Sequence, residues 1–227
     1  MNSVFPNLNK DKYIQTLRAH INNPSLIQQG ANGTCGAAVI CKYLADKYPD
    51  KYATAAISLY ETGKYEPWKL GLPEASYTGT DQICHNLFTT SLDALMHGGI
   101  INGYNNVCLD YNPFSDGQGL RSFAWPQCIQ SFFTNYLNKE VMIYYNVDFE
   151  ELKKYDFKNE FVIAAVITKE ICKDGEVSIR EFEMSGLFPD HYIQLTGRTE
   201  EMISYWNWGS DLFKAARGSA YIVIKVK

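Results

Sequence analysis

The chain has 227 residues, 46% of them apolar and 20% charged, which is enough hydrophobic material for a core and far from the composition of a disordered segment. A chain of this length buries roughly 70–75% of its unfolded surface, so it needs neither disulfides nor a metal to fold. Twenty-one basic residues against twenty-five acidic ones give a net charge of −4, which argues against nucleic-acid binding and against charge-driven attachment to anionic lipid.

The first ten residues, Met1 to Lys10, contain no apolar stretch of the kind a Sec signal peptide needs. The expectation is a cytosolic chain, one exported by a signal-independent route, or a segment of something longer. Lys10 to Asn22 reads as an amphipathic helix, with Tyr13, Ile14, Leu17 and Ile21 at helical spacing. Pro24 and the run Gln29 to Thr34 break it. A helix from Cys35 to Tyr48 follows, with Ala37, Ala38, Cys41, Leu44, Ala45 and Tyr48 on one face. Lys51 to Thr62 is the next, stopped by Gly63. Glu66 to Tyr77 reads as loop. Thr89 to His97 is helical and ends at Gly98-Gly99, Asn102 to Gly119 is irregular, and Pro126 to Leu137 is helical again.

The back half changes character. Strand patterns cover Val141 to Val147, Phe161 to Thr168, Glu176 to Met184, His191 to Thr196, Met202 to Trp208 and Ala220 to Val226, with a short helix from Phe149 to Tyr155. Turn residues separate the strands. Helices first and an antiparallel sheet second make the fold α+β. No apolar run is long enough for a membrane span.

Six cysteines, Cys35, Cys41, Cys84, Cys108, Cys128 and Cys172, include no Cys-x-x-Cys pair and do not read as a disulfide scaffold. A zinc site would have to gather Cys84, His85, His97 and Cys108, without the close ligand pairs that closed zinc sites use. Neither a metal nor another cofactor is expected. Most of these cysteines read as small buried apolar residues. Cys35 differs, because Asn32, Gly33 and Thr34 precede it and a helix starts on it. Unpaired amides and the helix dipole at that position favour a thiolate, and hence a nucleophile. Cys41, six residues further along the same helix, lies about 9 Å away and is expected to be inert. Gly30 and Gly33 let the backbone approach a substrate closely. The Gln29 side-chain amide and the Cys35 backbone N–H are candidate donors to an oxyanion.

The base candidate is His191, at the entry to a strand. Asn207 follows sixteen residues later. A hairpin brings the end of the second strand beside the start of the first, so Asn207 can fix the His191 ring and its tautomer. Trp206 and Trp208 flank the asparagine, and either is a candidate to shield that bond from water. Asp211 is an alternative orienting group. His20, His85 and His97 have no comparable partners in sequence and read as structural or surface residues.

Gln29 and Cys35 opening a helix, then His191, then Asn207-Trp208-Gly209, resemble in that order the papain-like cysteine peptidases. The histidine and asparagine lie slightly further from the cysteine than the roughly 130–150 residues of the papain type. The segment Gly33-Thr34-Cys35-Gly36-Ala37-Ala38 lacks papain's own signature around the nucleophile. The likeness is to the broad superfamily, and it looks closer to bacterial bacteriocin-processing peptidases and effector-type proteases. It implies one papain-like domain over residues 1–227, with a helical lobe over about 1–138 and a sheet lobe over about 139–227. It also implies thiol-dependent cleavage of an amide or peptide bond through an acyl-enzyme. A protein or peptide would be the substrate, and an inhibitor or immunity protein a possible partner. Two other readings use the same residues: acyl transfer or deamidation of the transglutaminase kind, and a binding or toxin module that keeps the fold without the chemistry.

Overall fold

The computed structural model describes residues 3–30, 33–66, 68–69, 79–86, 89–104, 111–115, 122, 124–166, 191–207, 209–215 and 219–227, with only the backbone described at 69, 210–215 and 219. The chain divides into two compact units, Met1–Phe132 and Phe133–Lys227. The first is helical and the second carries the main sheet, so the protein is α+β.

In the first unit, α1 spans Lys10–Asn22, and the Asn9 side chain caps it by accepting from the Lys12 N–H at 3.0 Å. Its buried positions are Tyr13, Leu17 and His20. His20 takes an inward place for which Ile14 and Ile21 seemed the better residues; both isoleucines are only half-buried. The helix α2, Cys35–Lys47, is buried at every residue from Cys35 to Ala45. The expected single apolar face is therefore too modest: α2 is packed on all sides. The next helix, α3 (Pro49–Thr62), starts two residues before the expected point, because Pro49 suits the first helical position. Gly63 ends it in the left-handed region, at φ 69°, with its N–H bonded to the Leu59 carbonyl.

Two short antiparallel strands follow, β1 (Lys64–Tyr65) and β2 (Trp68–Lys69); β2 falls within the segment Glu66 to Tyr77 expected to be loop, of which 67 and 70–77 lie outside the described residues. The chain then forms α4 (Asp81–Asn86) and α5 (Ser91–Tyr104). The helix α5 runs straight through Gly98-Gly99, which the sequence suggested as a stop. Packing explains the difference. A Cβ on Gly99 would meet Leu59 Cδ1 at 3.0 Å and Trp68 Cβ at 3.6 Å, so the glycine admits α3 and β2 against α5. Helices α2, α3 and α5 pack on one another to form the core of this unit. The helix α6, Pro126–Ser131, closes the unit, and a π-helical turn, Phe132–Tyr136, carries the chain on.

The second unit holds β3 (Val141–Asp148), α7 (Phe149–Leu152), β4 (Phe161–Val166), β5 (His191–Arg198), β6 (Ile203–Asn207), β7 (Ser210–Ala215) and β8 (Ser219–Val226). The sheet is antiparallel throughout, in the order β3-β8-β4-β5-β6-β7. The strand β7 was not anticipated, and the expected strand over 176–184 lies outside the described residues. One face of the sheet gathers Val162, Ala164, Val166, Ile193, Leu195, Ile203, Tyr205 and Val223 into a core, with Leu152 and Tyr155 packed on it. Among the described residues no helix is long and apolar enough to cross a membrane.

Candidate functional site

Cys35 is the first residue of α2, free of any disulfide and 2% exposed. The turn that leads to it contains Gly30 at φ 64°, a backbone conformation that only glycine adopts readily. Gln29 is half-buried and Gln28 exposed. Thr34 occupies the N-cap, and its carbonyl accepts the Ala38 N–H at 2.9 Å. Its side chain does not cap the helix; the Thr34 hydroxyl lies 3.0 Å from His97 Nδ1 instead.

The other described cysteines have different surroundings. Burial pushes the Cys84 thiol up to about 12 and holds those of Cys41 and Cys128 well above the ordinary value. Burial without compensating donors disfavours a thiolate, so these three are poor nucleophiles. Among the described residues no group of three or more His, Cys, Asp or Glu side chains is arranged to hold a metal ion.

Beneath the Cys35 segment lies a buried polar cluster. Asp93 on α5 is fully enclosed, and desolvation raises its pKa to about 7, against hydrogen bonds from the Thr90 side chain and from the backbone of Gln28 and Thr90. The Thr90 hydroxyl reaches Asp93 Oδ2 at 2.8 Å. His20 Nδ1 stands 3.0 Å from the Tyr52 hydroxyl and 3.8 Å from Asp93 Oδ1. Burial lowers the pKa of His20 to about 4, so at neutral pH this approach is not an ion pair. His97 is 1% exposed, and its pKa falls to about 3, through burial first and the nearby His20 second.

In the second unit, His191 opens β5 and Asn207 closes β6. Both are buried, at 4% and 1% exposure. Gln194 pairs with Trp206 and Leu195 with Tyr205, and continuing that register sets Asn207 opposite Ile193, two residues from His191 on the same face. This diagonal is within reach of long side chains. His191 Nε2 and Asn207 Oδ1 are 2.5 Å apart. An amide oxygen only accepts, so Nε2 carries the proton and the basic lone pair of the neutral ring is on Nδ1. Asn207 pairs with Ser210 across the turn into β7, and Gly209 in that turn adopts φ 81°. Trp206 shares its sheet face with Gln194, opposite to His191 and Asn207, so strand alternation turns it away from their bond. Trp208 and the Asp211 side chain lie outside the described residues.

The structure thus brings His191 and Asn207 together in one unit and places Cys35 and Gln29 in the other. Asp93 does not emerge from the sequence, Thr34 appears there only as a residue before Cys35, and His97 reads there as structural or surface. Their one visible signal is a pair of polar residues, Asp93 and His97, spaced four apart inside the apolar run Leu92 to Ile101. Comparison of the chain with family models, with curated proteins and with solved structures finds no match in any of the three.

Proposed function

We propose that the chain is a thiol-dependent hydrolase of papain-like, two-lobe architecture that cleaves an amide or peptide bond. The observation that carries this reading is the buried hydrogen bond between His191 Nε2 and Asn207 Oδ1. It fixes a ring with its basic nitrogen on the other side, which is what a general base needs. Cys35 supports it from the first unit: its sulfur is at the head of a helix whose N-cap side chain leaves the first amides uncapped.

In the proposed reaction the Cys35 thiolate attacks the substrate carbonyl carbon. The Cys35 backbone N–H and the Gln29 side chain donate to the oxyanion. His191, protonated at Nδ1, gives its proton to the leaving amine as the C–N bond breaks and an acyl-enzyme forms. The neutral ring then takes a proton from water, whose oxygen attacks the thioester and regenerates the thiolate. Asn207 holds the ring in register through both steps.

The reading requires the Cys35 sulfur and His191 Nδ1 to meet in the working enzyme. Treatment with 1,3-dibromoacetone, which alkylates a reactive thiol and then a neighbouring imidazole, tests this directly. The expected product is one peptide pair, Cys35 bridged to His191, found by mass spectrometry after digestion. A reagent spread over Cys41, Cys84 and Cys128, with no bridge to His191, overturns the proposal.

A further inference from the structure

Strand β5 outruns its neighbour. Its ladder with β4 ends where Leu195 faces Val162, and β5 continues through Thr196, Gly197 and Arg198. On its other margin the register against β6 shifts between Leu195 and Gly197, which makes Thr196 the extra residue of a bulge. The turn after α7 and this free length of β5 enclose a cleft of about 480 Å³, a volume within the range of small-molecule sites. Its walls include Lys154, Asp156, Phe157, Lys158, Gly197 and Arg198. The cleft lies within the second unit, at the end of β5 remote from His191. Its charges are uneven: three cations against one carboxylate, on a chain whose net charge is −4. The carboxylate is already engaged, since Asp156 accepts from the Lys158 N–H at 3.2 Å through one oxygen and from Asn159 Nδ2 at 2.6 Å through the other. Lys154 Nζ is held by Glu151, 2.7 Å away. Among the described residues no ion pair or side-chain hydrogen bond engages Lys158 or Arg198. Glycine inside a strand ordinarily marks a left-handed backbone or a tight approach. Gly197 has no positive φ, and a Cβ there would meet only Ser204 Cβ, at 4.0 Å. The chain's own packing therefore does not demand a bare backbone at this place, whereas a ligand lying on it would. Phe157, half-buried against the sheet core, makes one wall apolar.

We infer that this cleft binds a small organic oxyanion with two negative charges, a phosphate monoester or a dicarboxylate. The Arg198 guanidinium supplies paired N–H donors that match the edge of a phosphate or carboxylate, and Lys158 adds a second, more mobile charge. The body of the ligand covers Phe157 and crosses the bare backbone at Gly197. A neutral ligand would leave both cations unmatched, and a bare inorganic anion would leave Phe157 uncovered. The site is separate from the chemistry proposed for Cys35 and His191, and it stands or falls without it.

The test is titration of the full chain with phenyl phosphate and, separately, with phthalate, followed by amide nitrogen–proton NMR. At least one of the two is expected to give saturable shifts centred on residues 154–158 and 196–198. A Kd of about 1 mM is expected for a ligand of this size, rising as salt is added. The tighter of the two tells a phosphate ester from a dicarboxylate. Arg198→Gln is expected to raise that Kd about tenfold or more, and Lys158→Gln about three- to tenfold. Lys47→Gln, at an exposed lysine of the first unit, leaves it unchanged. Inorganic phosphate is expected to bind about fivefold more weakly or worse, because it covers no apolar wall. All three replaced side chains are exposed, so the fold is expected to survive, and the dispersion of each spectrum checks it. Arg198→Lys, which keeps the charge and loses the fork, is the second variant at that position and is expected to fall between wild type and Arg198→Gln. Shifts that fail to saturate with both ligands, or that map elsewhere, overturn the inference. So does a Kd indifferent to Arg198→Gln, an equal weakening by Lys47→Gln, or inorganic phosphate that binds as tightly as the better organic anion.

Discussion

In the sheet unit, the His191 ring is placed by backbone pairing. Register between β5 and β6 sets the diagonal, and the turn at Gly209 ends β6 on Asn207. In the helical unit, among the described residues, no ladder reaches Cys35. Its position follows from the packing of α2 on α3 and α5, and from side chains that grip the preceding segment at Gln28 and Thr34. A ladder fixes a residue through many equivalent bonds, none of them indispensable. A side-chain network fixes it through a few bonds, each exposed to single substitutions. The sheet unit is therefore expected to tolerate changes around its pair, while the helical unit is expected to answer to distant ones.

The largest effect expected under the proposed function is His191→Ala, which removes the proposed base and lowers kcat/KM on a cleaved peptide about 10²–10⁴-fold with unfolding temperature near that of the wild type. Equal turnover by this variant would break the comparison at its root. Asn207→Ala leaves the proposed base but frees the ring, and is expected to cost about 10- to 100-fold, the value of one hydrogen bond to a group that becomes charged. The loss is expected in kcat rather than KM. In the helical unit, Gly99→Val drives methyl groups into Leu59 and Trp68 and is expected to cost about 1–3 kcal/mol in denaturant unfolding. An unchanged midpoint would mean that α3 and β2 give way without penalty.

The smallest effect concerns pH. Asp93, with its pKa raised to about 7, binds its proton more tightly folded than unfolded, so its contribution to stability is lost as pH rises from about 4 through 7. His20 and His97, lowered to about 4 and about 3, bind theirs less tightly when folded, and their contribution is lost as pH falls below 6.5. The two trends oppose each other between pH 4 and 6.5. Asp93→Asn keeps the shape of the protonated carboxyl and removes one of them. Its stability relative to the wild type is expected to grow from pH 5 to pH 7, by at most about 1.4 kcal/mol per unit. A constant difference across that range would show that Asp93 does not titrate there.

The sheet half of the candidate site was readable because strands repeat every two residues and a hairpin is a local object. His191 at a strand entry and Asn207 before a glycine turn give their neighbourhood away. The helix headed by Cys35 was equally plain from its apolar run and the glycines before it. What escaped were decisions made by neighbours distant in sequence. Gly98-Gly99 has the look of a helix stop, and only the approach of Leu59 and Trp68 shows that small size, not chain reversal, is what the position demands. Among the described strands β7 lies at the end of the strand order with a single partner, so Ser210 to Ala215 carries less of the β-rich signal that a central strand needs. The link from Thr34 to His97 spans two helices, and no local pattern encodes it.

Strand β8 has a consequence of a kinetic kind. It lies between β3 and β4, and among the described residues β3 has no other partner in that sheet. The β5–β6–β7 meander closes short loops, whereas joining Asp148 to Ser219 closes one of about seventy residues, which is slower and entropically dearer. Until β8 arrives, β3 is an orphan and one margin of β4 lies bare, an open template for a second chain. In pulse-labelled hydrogen exchange, amides of β5 and β6 are expected to gain protection first and those of β3 last. Dilution during refolding is expected to matter most in that interval.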